Sequence, residues 1–193
     1  MSPLGRVARL QIQRARLKLG ARPARRYEPA PLQEVPELEL GPEGVWGHSP
    51  GGERIADVHN RAHEAHNHRG ENGVCFGFTR HYAALRERFG ARLADGIAGE
   101  NILIESGEAP ELARVAGGLG IERDGGALLR LTRVLVAEPC LEFARYALGL
   151  PLDAPGGRHV TEALQALREG RRGFYATCAE PGRIRVGATV YVL

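Results

Sequence analysis

Lysine is almost missing from this chain: of its 26 basic residues, Lys18 is the single lysine and the rest are arginines. A pyridoxal phosphate enzyme needs a lysine for its Schiff base. Lys18 sits in a strand-like stretch near the N-terminus, which argues against pyridoxal chemistry within this chain. Long apolar runs are missing too. The best is Val134-Leu135-Val136-Ala137, far short of the roughly 20 residues a membrane helix requires, so no membrane span is expected. The arginine-rich start leads into no apolar segment of the kind a secretory signal carries. The three cysteines, Cys75, Cys140 and Cys178, include no CxxC pair, a usage that suits a reducing cytoplasm better than a disulfide scaffold. Aromatics make up 6% and do not interleave with a basic stripe, which argues against nucleic acid as a partner. A net charge of +3 and a pI near 9.0 leave room for an anionic ligand.

What is present reads as short strands with a few helices. No acidic residue precedes Glu28, and residues 7–19 alternate, Leu10 and Ile12 among glutamines and then Ala15, Leu17 and Leu19 among Arg14, Arg16 and Lys18. The phase slips between Ile12 and Ala15, as at a bulge or between two strands. Its cations either face an anion or form a solvated outer face, and the solvated face is favoured. Residues 20–70 form a Pro/Gly- and His-rich excursion, with one short strand expected near Glu37–Leu40. Val74, Phe76 and Phe78 mark a strand, followed by a helix capped by Thr79, running to about Phe89 and ended by Gly90. A hairpin is expected around Asp124-Gly125-Gly126. Helices are expected from Pro139, with Leu141, Ala144 and Leu148 as its buried stripe, and over Val160–Glu169. Closely spaced strands end the chain. The expected fold class is α+β, mainly β: a barrel-centred single domain over residues 1–193 with short peripheral helices.

Among candidate functional residues, Cys140 follows Glu138-Pro139 where a β-prone run gives way to a helix. Proline favours the first helical position, which would place the thiol in the first turn, where the dipole favours a thiolate. A thiolate ligates soft metals or carries sulfur as a persulfide; the rival reading is a small buried hydrophobe. Cys75 and Cys178 are weaker candidates: Cys178 shares a strand face with Phe174 and Ala176, and Cys75 points away from the phenylalanines. Glu100 and Asn101 precede a short strand, where such side chains either tie a loop to the backbone or orient a ligand.

The order Gly99-Glu100-Asn101, then Pro139-Cys140, then Arg172-Gly173-Phe174-Tyr175, Pro181-Gly182-Arg183-Ile184 and Gly187-Ala188-Thr189-Val190 resembles the MOSC domain, the C-terminal domain of molybdenum cofactor sulfurases. Asn72–Phe89, with His81-Tyr82, resembles that family's middle section. The resemblance covers residues 70–193 well and residues 1–70 weakly. It implies a MOSC-type β-barrel, pyruvate-kinase-barrel-like, that binds a molybdenum cofactor (molybdopterin) or relays sulfur. Cys140 would then be the molybdenum ligand or persulfide carrier, and Glu100, Asn101 and Arg172 cofactor-binding residues. Arginines of the N-terminal strand, or Arg69, Arg171 or Arg172, could receive the pterin phosphate. In place of a family turn that carries an aspartate, this chain has Gly44-Val45-Trp46-Gly47-His48.

Five of the seven histidines fall between His48 and His68. Were Asp57–His68 helical, His59, His63 and His66 would share one face and could hold zinc. His63-Glu64-Ala65-His66 is one residue short of the metalloprotease motif, which rejects a protease. Three functions therefore compete: a molybdenum-dependent oxidoreductase acting on small N-oxygenated or sulfur-containing substrates, a metal-free sulfur carrier or transferase, and a non-catalytic zinc- or ligand-binding module. No flavin motif or iron–sulfur ligand set is present, so an electron- or sulfur-donating protein partner is expected for the first two.

Overall fold

The computed structural model describes residues 2–193. The first strand, β1 (Ser2–Gln13), organises the molecule because it has three partners along its length. Its inward side chains Leu4, Val7 and Leu10 are spaced by three, not two, so the strand must slip its pleat between them. The register shifts accordingly at Pro3/Gly5 and at Val7/Arg9, each shift bending the strand as a bulge does. Gly5 sits where two neighbours converge, opposite both Val190 and Ser106. A Cβ there would collide with the carbonyl of Glu105.

The excursion is more regular than its prolines suggest. Just before it lies β2 (Lys18–Leu19), and it carries β3 (Arg26–Tyr27), β4 (Leu32–Glu34), β5 (Glu37–Gly41), β6 (Gly44–His48) and β7 (Arg54–Ala56). The phase slip is thus the gap between β1 and β2. There follow β8 (Val74–Phe78), α1 (Thr79–Phe89), β9 (Ile102–Ser106), the short α2 (Leu112–Val115), β10 (Leu119–Glu122) and β11 (Leu128–Val136). The chain ends with α3 (Leu141–Ala147), α4 (Arg158–Ala166), β12 (Phe174–Cys178), β13 (Gly182–Arg185) and β14 (Thr189–Val192). Strands β14, β10, β11, β12, β8, β9 and β1 pair in that order, and β1 returns to β14, which closes a seven-stranded barrel with β4 added to the far end of β1. Every barrel pairing is antiparallel except β8 with β9. That parallel pair needs a crossover, which α1 supplies. A second sheet, β13-β5-β6-β7, packs on the barrel, with Leu38, Leu40, Val45 and Ile184 joining the barrel core.

Phe76, Phe78 and Phe174 fill the barrel beside α1; the rings of Phe76 and Phe174 stack with centroids 5.3 Å apart. The opposite face of β8 is also buried, because α1, α3 and α4 cover it with Tyr82, Leu85, Phe143, Ala147 and Leu167. Cys75 is therefore enclosed, and Cys178 is buried in the barrel core. The β2–β3 ribbon docks on this helical layer through Tyr27, whose ring meets Phe143 edge-on at 4.9 Å. No helix among the described residues is long and apolar enough to cross a membrane.

Several local expectations are corrected. Thr79 does not cap α1: β8 runs straight into the helix, Thr79 is already helical, and no side chain caps it. Helix α3 begins two residues later than Pro139, and Leu141 is 52% exposed while Phe143, Ala144 and Ala147 form its buried stripe. Helix α4 ends at Ala166, three residues early, and Glu169 has left-handed φ of 61°.

His81, on α1, lies against Phe78 and Phe174 with a buried Nδ1 that has no partner. Burial, helped by the charge of Arg171, lowers its pKa from 6.5 to about 4. Between those values the unfolded chain binds a proton that the folded chain refuses. This contribution to stability is full above about pH 6.5 and is lost as pH falls toward 4. The expected loss is about 2–3 kcal/mol. Urea midpoints across that window should show it in the wild type and not in His81→Phe.

Candidate functional site

The main concavity opens where β1 leaves the barrel and the β2–β3 ribbon crosses toward α3. It measures about 440 Å³ and is walled by Arg16, Lys18, Arg22 and Arg25, with Arg69 opposite and Arg172, Cys75, Tyr175, Tyr27 and His59 deeper in. Six of the lining residues are cationic and none is acidic. Arg16 and Lys18, expected on a solvated face, thus face a cleft. The glutamines beside them are not solvated either: Gln11 and Gln13 are buried and donate through Nε2 to the carbonyls of Gly96 and Gly99 at 2.6 and 2.7 Å. A cleft of one charge sign concentrates counter-ions.

The cations are held differently. Arg16 donates to the carbonyls of Ala65 and His66, Arg69 to the side chain of Asn67, and Arg25 to Glu142 at 2.5 Å. Arg172 donates from Nη2 to the Ala98 carbonyl at 3.1 Å and lies beside the Tyr175 hydroxyl, while its Nε and Nη1 are buried with no acceptor in hydrogen-bond geometry. Burial disfavours its cation, yet its pKa is raised overall, by Tyr175, Cys75, Tyr27 and Cys140 once those groups ionise. It stays charged in every accessible condition, and each buried N–H left without an acceptor costs about 1–3 kcal/mol. A fold keeps such a cost where a ligand relieves it. Arg171, by contrast, is exposed, turns to Glu169 and Ala166, and does not line the cleft.

Asp57 forms the floor of the site's scaffold. Fully buried, its Oδ1 accepts from the backbone N–H of His59 at 2.7 Å and from His59 Nδ1 at 2.8 Å. Its Oδ2 accepts from the N–H of Gln13 at 2.6 Å and from Asn101 Nδ2 at 2.9 Å. Asn101 also receives the N–H of Cys75 at 3.0 Å. It therefore ties three segments together and, like Glu100, does not line the cleft. Glu100 lies beneath the cleft in a slot between Gly77 and Gly173, where a Cβ on Gly77 would come within 2.9 Å of its Oε1 and one on Gly173 within 3.2 Å of its Cγ. Tyr82 donates its hydroxyl to Glu100 at 2.8 Å and receives the N–H of Ala98 at 3.0 Å. Burial pushes the carboxyl up to about 7, against the pull of Arg172 and the Tyr82 hydroxyl.

Cys140 is half-buried at the margin of the helical layer, beside the cluster that holds Tyr27 and Phe143. It stands immediately before α3, not in its first turn, and its side chain makes no capping bond. The short α3, seven residues long, lends this thiol little dipole support. What remains is proximity: a charge on Cys140 bears on Tyr27, Arg172 and Tyr175, which all line the cleft. The cleft-lining thiol is Cys75, whose pKa burial pushes far up.

The histidines do not converge as the helical reading required. Residues 57–70 are turns without helix. His59 is buried against Asp57, the ring of His63 lies against the Arg14 carbonyl and the N–H of Ala65, and His66 is exposed. No three metal-ligating side chains come together among the described residues. His48 pairs with Glu39 at 3.2 Å on the second sheet and does not line the cleft. Sequence reasoning gave no role to Asp57, Tyr27 or Tyr175; Asp57 holds His59 two residues on, but also Gln13 and Asn101, each 44 residues away.

The fold has solved counterparts. The YuaD protein of Bacillus subtilis superposes with a TM-score of 0.57 at 12% identity, covering 98% of this chain and 94% of that one. YiiM of Geobacillus stearothermophilus gives 0.53 at 17%, covering 97% and 74%. YiiM of Escherichia coli gives 0.51 at 17%, covering 83% and 64%. No curated protein sequence matches. The model of the MOSC domain matches residues 62–191, a span that takes in the barrel strands from β8 onward, Arg172 and Cys140, and the chain belongs to the MOSC domain family.

Proposed function

We propose that this MOSC-domain chain holds a molybdenum cofactor in the cationic cleft, with Arg172 as the anchor for its pterin phosphate and Cys140 as the candidate metal ligand. The observation that supports this reading is the Arg172 guanidinium: permanently charged, facing an all-basic cleft, with two buried N–H groups that lack an acceptor. The volume, about 440 Å³, falls in the range of small-molecule sites. A thiolate is the soft donor that suits such a metal. When bound, molybdenum would supply two-electron redox chemistry for a small N-oxygenated or sulfur-containing substrate, with electrons from a separate protein. The chain's own part is to neutralise the phosphate and exclude water. Glu100 and Asn101 act beneath the site as supports and not as ligand contacts.

Cofactor loading in variants tests this. Cys140→Ser is expected to retain pterin and lose most of its molybdenum, whereas Arg172→Gln should lose both together, by about tenfold in affinity for one charge-assisted contact. The sulfur-carrier alternative predicts instead a persulfide on Cys140, seen by mass spectrometry after incubation with a cysteine desulfurase, and no dependence on Arg172. Loading unchanged in both variants would refute the assignment of these two residues.

A further inference from the structure

Every hydrogen-bonding position of Asp57 is taken, and two of its four donors belong to His59, the backbone N–H and Nδ1. The imidazole is therefore fixed in orientation, with its proton on Nδ1 directed at a fully buried carboxylate. Nε2 has no protein partner among the described residues and is not among the polar atoms sealed without one. His59 itself lines the cleft, beside Tyr175 at 6.1 Å between ring centroids, in the same wall set as Arg172. In the neutral ring with its proton on Nδ1, Nε2 is a hydrogen-bond acceptor. An acceptor set in a cleft of cations gives no help to a fully deprotonated anion, because it turns a lone pair toward the anion's own lone pairs. It does suit an oxyanion that still carries an O–H.

We propose that His59 is a specificity residue of the cleft: through Nε2 it accepts the O–H of a protonated oxyanion, such as hydrogen phosphate, whose charged oxygens are received by Arg172. This rests on the cofactor reading for the cleft being the ligand site; the pterin phosphate, a monoester, would be taken there in its singly protonated form. The division of labour is chemical. Arg172 responds to charge and does not distinguish phosphate from sulfate, both tetrahedral dianions. Nε2 distinguishes them, because phosphate keeps an O–H at neutral pH and sulfate does not.

The test is titration of the whole protein at neutral pH with inorganic phosphate and, separately, with sulfate, followed by calorimetry. Wild type should prefer phosphate by about tenfold, the discrimination expected when a site built to accept a hydrogen bond meets a ligand that cannot donate one. His59→Asn is the informative variant, since its amide can still donate to Asp57 from the place of Nδ1 while nothing remains at the place of Nε2. It should fold with an unchanged melting temperature and bind the two ions equally. Arg172→Gln should weaken both by about tenfold and leave the ratio between them. A wild type that binds both ions alike, or a phosphate preference that survives His59→Asn, overturns the role of His59 and leaves the cleft reading standing. Binding of neither ion to wild type, or binding that Arg172→Gln does not weaken, overturns the cleft reading as well. A 15N spectrum of the His59 ring supplies the second readout: Nε2 should shift on adding phosphate and not on adding sulfate.

Discussion

Asn101→Ala is expected to destabilise the protein by about 3–4 kcal/mol, measured as a fall in the urea midpoint with an unchanged slope. The side chain is fully buried and makes three bonds to three segments: Nδ2 to Asp57 Oδ2 and to the Gln11 carbonyl, and Oδ1 from the N–H of Cys75. Truncation would strand the backbone N–H of Cys75 and take from the buried Asp57 Oδ2 one of its two donors, where water does not reach, and such losses cost more than the bonds themselves contribute. A residue that served only to touch a ligand would not behave so. A change smaller than about 1 kcal/mol, the usual range for a surface site, would move Asn101 from scaffold to ligand contact.

Glu100→Gln is expected to act in the opposite direction and only above neutral pH. The folded carboxyl titrates at about 7 against an ordinary 4.5, so between those values the folded state binds more protons than the unfolded state. The stability this contributes is full below about pH 4.5 and is lost as pH rises through 7. Above that the wild type carries a buried carboxylate that glutamine replaces with a neutral group still able to accept the Tyr82 hydroxyl. The variant should match the wild type near pH 5 and exceed it near pH 8 by about 2–3 kcal/mol. Its excess runs against the His81 effect, which weakens the fold on the acid side, so the two are separable by direction. Equal stability of wild type and Glu100→Gln at both pH values would mean that Glu100 is hydrated in solution.

Those two residues also show how far the sequence could be read. Glu100 and Asn101 stand out by their spacing to Pro139-Cys140, and the family and barrel follow from that order of motifs. Their alternation of apolar residues marks β8 and β12 equally well, since one face of each strand meets the barrel core. The site itself was less legible. Its cleft-lining residues come from the β2–β3 ribbon, from the turn after β7 and from the residue before Gly173, and only closure of the barrel brings them together. The histidine periodicity misled for a related reason: Asp57 draws His59 inward through two hydrogen bonds, a tertiary pull that no helical spacing reveals. Cys140 remains a candidate on family grounds and on its electrostatic reach to Arg172, and no longer on helix position.

We propose the cleft beside Arg172 and Cys140 as a molybdenum cofactor site. The most direct measurement is the molybdenum and pterin content of the intact chain, purified from cells grown with ample molybdate. Both should be present together, near one of each per chain, and both should be lost in Arg172→Gln. Protein that carries neither, while a bona fide molybdenum protein made in the same cells is fully loaded, would contradict it.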